Sequence, residues 1–213
     1  MADEMQNRED SPKLFGGCSG ARVRPRERIV DVASDLFHRH GIRAIGVDTI
    51  AQAAGTNKMT LYRHFGSKDE LIIEVLERVS QAADLKWGEI AASAPDDPAA
   101  QLRAWLRLAA TKISEDGRGC DMANTAVEFA EADHPTRRVV EAFKTEQRNR
   151  LARLCASAGA SQPDLLADAL FLLLEGARVS RQSVGAEGPS ARFVRMGEAI
   201  IASFGAAAPP PKA

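Results

Sequence analysis

The sequence has no run of about 18 apolar residues, so no helix of it is expected to span a membrane. Aromatic residues make up only 5% against 45% hydrophobic residues, and alanine and leucine dominate the core supply. That balance favours helices over sheets. No stretch alternates apolar and polar residues with β-branched enrichment, so no strand is expected. No repeat of 20–50 residues appears. Cys18, Cys120 and Cys155 are odd in number and far apart. They read as reduced cytosolic thiols, not as a disulfide frame or zinc site. The opening MADEMQNREDSPK is acidic and polar and does not read as a signal peptide, so a cytoplasmic location is expected. No Ser-His-Asp set, metal cluster or phosphate loop stands at useful spacing. An enzyme is therefore not expected, and neither is a metal or a cofactor. His38 and His40 are two apart on one helix and cannot share a face. His134, beside Asp133 and Glu131, reads as a helix cap region.

The net charge of −1 argues at first against a nucleic-acid partner. Its distribution argues the other way. From Arg22 to Arg28 four arginines face one glutamate, and Lys58, Arg63, His64 and Lys68 follow. Acidic residues gather later, at Glu115–Asp121 and Glu128–Asp133. A basic end on a mildly acidic body suits a protein that touches DNA with one end.

The basic end surrounds the most informative stretch, Val47–Leu71. Val47, Ile50, Ala51 and Ala54 recur at helical spacing. Gly55 fits the residue just past that helix, where a positive φ favours glycine. Asn57 can cap a second helix over about Lys58–Phe65, with Leu61 and Phe65 on its core side. Two short helices with a glycine turn form a helix-turn-helix, whose second helix enters the DNA major groove. Ser67-Lys68-Asp69-Glu70 then reads as a capping box, with Glu70 reaching back to the Ser67 N–H.

Around this stretch the spacing predicts an all-α chain of about nine helices. Residues 1–21 read as a disordered arm, 22–66 as the DNA-binding domain, 67–205 as a helical second domain, and 206–213 as a disordered tail. Helix 1 is predicted over Pro25–His40. Helix 4 follows Ser67 to about Ala92, a rod of about 35 Å. Pro98–Glu115, Met122–Ala130, Pro135 to near Gly159, Pro163–Ser183 and Pro189–Phe204 complete the set. Helix 8 is apolar almost all round at its start, and helix 9 carries Phe193, Met196, Ile200, Ile201 and Phe204 on one stripe. Gly176, Ala177 and Gly197 would let helices approach closely. These two helices are predicted to form a homodimer interface, near 163–183 and 189–204.

The stretch from Arg28 to Leu71 resembles the DNA-binding domain of the TetR/AcrR family of bacterial regulators. Ile29, Ala33, Leu36-Phe37 and Gly41 carry the resemblance in helix 1. Asp48-Thr49-Ile50-Ala51, Ala54-Gly55, Leu61-Tyr62-Arg63-His64-Phe65-Gly66-Ser67-Lys68 and Leu71 complete it. Gly46 departs from the small hydroxyl residue usual before helix 2, and Thr56-Asn57-Lys58-Met59 from the commoner Val-Ser-Lys-Gly. The resemblance implies a ligand-responsive homodimeric regulator, most often a repressor, on double-stranded DNA. Two recognition helices roughly 34–36 Å apart would bind a palindromic operator until a small molecule shifts helix 4.

The resemblance places Thr49, Tyr62, His64 and Lys68 at phosphate-contacting positions. Tyr62 can alternatively pack helix 3 on helix 1, and Lys68 can be a solvated charge. Lys58, Thr60 and Arg63 are the candidates for base edges, Arg63 through a bidentate contact to guanine or through phosphate. Arg24 belongs to a basic segment that can lie on the DNA backbone, reach the minor groove, or simply start a helix. The family's ligand cavity lies among helices 4 to 8. Trp87, Trp105, Phe129, Phe143 and Phe171 are candidate aromatic walls, and Met122, Asn124, Thr125, Glu128 and Glu175 candidate contacts. Switching by Cys120 oxidation, or by a protein partner, stands as the alternative to a small molecule.

Overall fold

The computed structural model describes residues 24–131 and 133–206. Among them are nine α-helices, one 3₁₀ turn and no strand. The helices are α1 Pro25–His40, α2 Val47–Ala53, α3 Lys58–Phe65, α4 Lys68–Ser93, α5 Pro98–Glu115, α6 Asp121–Glu128, α7 Pro135–Ser157, α8 Pro163–Val184 and α9 Phe193–Ser203. The expected arm, the tail from residue 207, Cys18 and Arg22 lie outside the described residues. Ala206, expected to open the tail, is instead buried against the C-terminal core.

Most helix starts follow from caps written locally. Asn57 Oδ1 accepts from the Thr60 N–H at 2.8 Å, and Asp97 Oδ1 from the Ala100 N–H at 2.8 Å. His134 Nδ1 accepts from the Thr136 N–H at 3.4 Å. Ser67 forms half of the expected capping box. Its Oγ accepts from the Glu70 N–H at 3.1 Å, but its own N–H donates to Phe65 O at 2.8 Å, which leaves Glu70 nothing to reach back for. Pro189–Arg192 is a 3₁₀ turn and α9 begins at Phe193. Ser190 and Phe193, three apart, are both buried, and three residues per turn put them on one side.

Two cores share α4. The first joins α1, α2 and α3 to the start of α4 through Ile29, Phe37, Ile50, Leu61, Phe65 and Leu71, and runs on into Met122 and Val140 of the body. The second joins α5, α7, α8 and α9, and takes Ile90 from the far end of α4. A single 26-residue helix therefore belongs to both ends of the molecule. Helix α9 crosses α5 closely: a Cβ on Gly197 would stand 2.4 Å from Leu106 Cδ2. Gly176 does not serve such an approach within the chain, because it lies on the open side of α8. On α8, Leu166, Leu170 and Leu174 are buried while Leu165, Leu172 and Val179 stand exposed, seven residues apart. No described helix is long and apolar enough to cross a membrane.

Candidate nucleic-acid interface and body cavity

Helices α2 and α3 are joined by a tight glycine turn. Gly55 has φ +63°, the Thr56 N–H donates to Ala51 O at 2.9 Å, and the Gly55 N–H to Gln52 O at 3.0 Å. This pair of bonds satisfies the last carbonyls of α2 and turns the chain sharply. Leu61 and Phe65 then anchor α3 in the head's core. What remains outward on α3 is Lys58 and, at i, i+3 and i+4, Met59, Tyr62 and Arg63, with Met59 77% exposed.

The expected DNA-contacting residues divide into free and committed groups. Thr49, Tyr62 and Arg63 are exposed. Lys58 is exposed but pairs with Asp48 at 3.0 Å, and the hydrogen bond to that carboxylate raises its pKa. Thr60 and His64 are half-buried, His64 lying edge-on to Phe65 with ring centroids 6.2 Å apart. Arg24 is exposed, and its backbone N–H donates to Glu27 Oε2 at 3.3 Å. Lys68 is the clearest departure from a solvated or phosphate-directed charge. Its Nζ donates to Ile42 O at 2.6 Å and sits 5.9 Å from the Phe37 ring centroid. Burial lowers its pKa. It ties the first residue of α4 to the loop after α1.

Two further arginines of the basic end are also used internally. Arg26 makes a two-pronged contact with Glu74 at 2.7 and 2.9 Å and lies 5.1 Å from the Phe65 ring centroid. Arg28 Nε donates to Ala54 O at 2.7 Å. Glu74 is 48 residues from Arg26, so no local pattern announced the pair.

A second set of bonds holds the head to α6. The Glu128 carboxylate accepts from the Ile42 N–H at 2.9 Å and the Arg43 N–H at 2.7 Å. Gly41, at φ +83°, leaves room for it: a Cβ there would stand 3.1 Å from Glu128 Oε1. His38 lies between two carboxylates, Nδ1 2.6 Å from Asp121 and Nε2 3.2 Å from Asp116. Burial alone would lower its pKa, but the hydrogen bond to Asp121 and the two carboxylate charges outweigh that and raise it.

The body contains a cavity of about 440 Å³ between α4, α5, α7 and α8. Of the ten residues expected to line it, Trp87, Trp105 and Phe143 do. Trp87 Nε1 donates to Gln147 Oε1 at 2.6 Å. Those on and just after α6 are placed elsewhere because that helix turns its buried side to the head. Met122 is fully buried in the first core, and Phe129 packs on the His134 ring at 4.4 Å between centroids. Thr125 and Glu128 face a different cleft, of about 480 Å³, between α1, α4 and α6, as does Asn124. Phe171 and Glu175 flank Lys144, whose Nζ is 5.7 Å from the Phe171 centroid and 2.6 Å from Glu175 Oε2. Sequence reading missed the cationic wall residues Lys86, Lys112 and Arg178, since a helical cation more often signals a solvated face.

Residues 29–75 match the family described as "Bacterial regulatory proteins, tetR family". The chain is also similar along most of its length to the TetR-family transcriptional regulator SCO4454 of Streptomyces coelicolor. That likeness has a TM-score of 0.80 at 27% identity, covering 84% of this chain and 95% of that one. Residues 29–75 thus form a head of the TetR family, and the body shares the fold of a TetR-family regulator. Among curated relatives, the HTH-type transcriptional activator FasR of Mycolicibacterium smegmatis is 37% identical over 81 residues, 37% of each chain. The transcriptional repressor KstR2 of Rhodococcus jostii is 39% identical over 74 residues, 35% of this chain and 36% of that one. These two alignments span little more than a third of the relatives' length. The TetR resemblance is therefore densest over the head, and the body is matched through its fold.

Proposed function

We propose that this protein is a dimeric DNA-binding transcriptional regulator whose operator affinity is set by a small molecule in the body cavity. The observation that carries the reading is the outward face of α3. Met59, Tyr62 and Arg63 stand exposed on a helix whose opposite side is locked into the head, with Thr49 exposed on the neighbouring α2. A rigid short helix with a free polar and apolar edge is what major-groove readout requires. Phosphate contacts fall to Thr49, Tyr62, His64 and the exposed Arg24. Base readout falls to Arg63, to Thr60 and Lys58, and to Met59, whose side chain suits a thymine methyl group.

Dimerisation is supported by the stripe Leu165, Leu172 and Val179, three large apolar side chains seven residues apart and 52–70% exposed. Covering such a stripe with the same stripe of a second copy gives a closed two-fold pair. Control by a ligand is supported by the position of the cavity against α4, the helix that also belongs to the head's core. A ligand that fits the cavity in only one position of α4 biases the spacing of two heads by its differential affinity. Repression of a palindromic operator, released by the ligand, is the form proposed. The test is thermal stability against a panel of metabolites alongside operator binding. A stabilising compound that also lowers operator affinity supports the reading; stabilisers that leave operator affinity untouched count against it.

A specific contact favours a second reading, control by oxidation of Cys120. Cys120 lines the cavity, and its Sγ accepts from the Lys144 ammonium at 3.5 Å. Release of DNA by peroxide, lost in Cys120→Ser, would support that reading.

A further inference from the structure

Both tryptophans of the chain, Trp87 and Trp105, line the body cavity. With Phe143 they give it flat apolar walls. Its charged groups are unevenly matched. Asp116 and Asp121 both bond His38 and, even with it charged, keep one formal negative charge between them. Lys86 and Lys112 face the cavity and pair only loosely with Glu89 and Glu115, in exposed contacts of 2.8 and 3.6 Å that a ligand can replace at little loss.

The decisive cluster is at the α7–α8 edge. There a single carboxylate, Glu175, is shared by two cations, Lys144 at 2.6 Å and Arg178 at 3.1 Å. All three side chains are about a quarter exposed or less. Two cations and one carboxylate leave one formal positive charge without a counter-ion in a partly desolvated place. Arg178 lines the cavity and spends Nη1 on Glu175. Its other guanidinium N–H groups meet no acceptor among the described residues. A partly buried guanidinium with free donors is a site for a planar anion.

We propose that the cavity takes a ring-bearing organic monoanion, its carboxylate on the free edge of Arg178 and its ring between the two indoles. This deepens the reading of the cavity as the effector site and rests on it. A cationic effector would meet three wall cations, against two carboxylates that already bond His38. A neutral one would leave the cluster's charge unbalanced.

The test uses the whole protein and three probes of one shape: phenylbutanoate, phenylbutanamide and phenylbutylammonium. Tryptophan fluorescence reports on the cavity, because the protein has no other tryptophan. The carboxylate is expected to bind at least about tenfold more tightly than either companion, the equivalent of one charge-assisted contact. Its affinity, unlike the amide's, should fall as salt is raised. Arg178→Gln should erase the preference while the amide binds as before, which also shows that the variant is folded. Equal or tighter binding of the amide or the ammonium ion, or no response to any of the three, overturns the proposal. So does a preference that survives Arg178→Gln, or, should that variant not fold, a wild-type affinity indifferent to salt. Operator binding is measured separately. A carboxylate preference without DNA release contradicts the effector role and leaves the ligand class standing. DNA release by a neutral compound, without that preference, does the reverse.

Discussion

Arg63 and Lys68 are both basic, five residues apart, and the structure gives them different work. Arg63 has no internal partner among the described residues and faces outward, which supports its proposed role in reading bases. Arg63→Ala should relax preference at one operator position by about 1–3 kcal/mol; uniform weakening over all sequences would count against that role. Lys68 is bonded to Ile42 O and would have to leave that carbonyl to reach a phosphate. A phosphate contact would show as a salt slope lower by about one unit in Lys68→Met. A strut would show instead as lost stability, about 1–3 kcal/mol for an abandoned buried acceptor. The geometry predicts the second, read from the denaturant midpoint, with the slope unchanged; a reduced slope at unchanged stability would return Lys68 to the phosphate contacts. The capping residues were legible in the sequence because they act within three or four positions. Lys68 was not, because its partner is 26 residues away and is a carbonyl, which no residue type marks.

At the scale of elements, α4 and α6 join the head to the body. The start of α4 is stapled to α1 by Arg26–Glu74 and by Asp31–Arg78. The α6 side is held by Glu128 on the Ile42 and Arg43 amides and by His38 on two aspartates. The His38 contact carries a pH dependence. Its folded pKa lies above the ordinary imidazole value of 6.5, so its contribution is full below that value and is lost as pH rises through the raised one. Thermal stability should therefore decline over that window in the native protein, and the decline should be smaller in His38→Gln; identical pH profiles would remove His38 from the junction. Helix extents were readable here from proline, glycine and apolar period. The face that α6 buries was not, since Met122, Thr125 and Phe129 suit a head-facing core as well as a cavity wall. That ambiguity explains why the expected cavity residues on α6 fall outside it, while those on the long helices, Trp87, Trp105 and Phe143, fall inside.

For the whole molecule, the all-α class followed from composition and from period, and the head followed from its residues in register. The body was matched less closely in sequence, because a ligand site and an interface can be built from many apolar sets. The proposed dimer makes one direct demand. Leu172, 70% exposed in the single chain, should be buried in the pair. Leu172→Glu should turn the dimer into a monomer by light scattering, with helix content kept and operator affinity greatly reduced; a dimer that persists would move the interface elsewhere. The central claim is that two copies of the α2–α3 unit read a symmetric DNA site. Selection of binding sequences from a random duplex pool by the purified protein tests it most directly. The account predicts enrichment of an inverted repeat with half-sites roughly one helical turn, about 10 base pairs, apart, with the pattern altered by substitution of Arg63. Failure to enrich any sequence, or enrichment of an unsymmetrical site indifferent to Arg63, would contradict it.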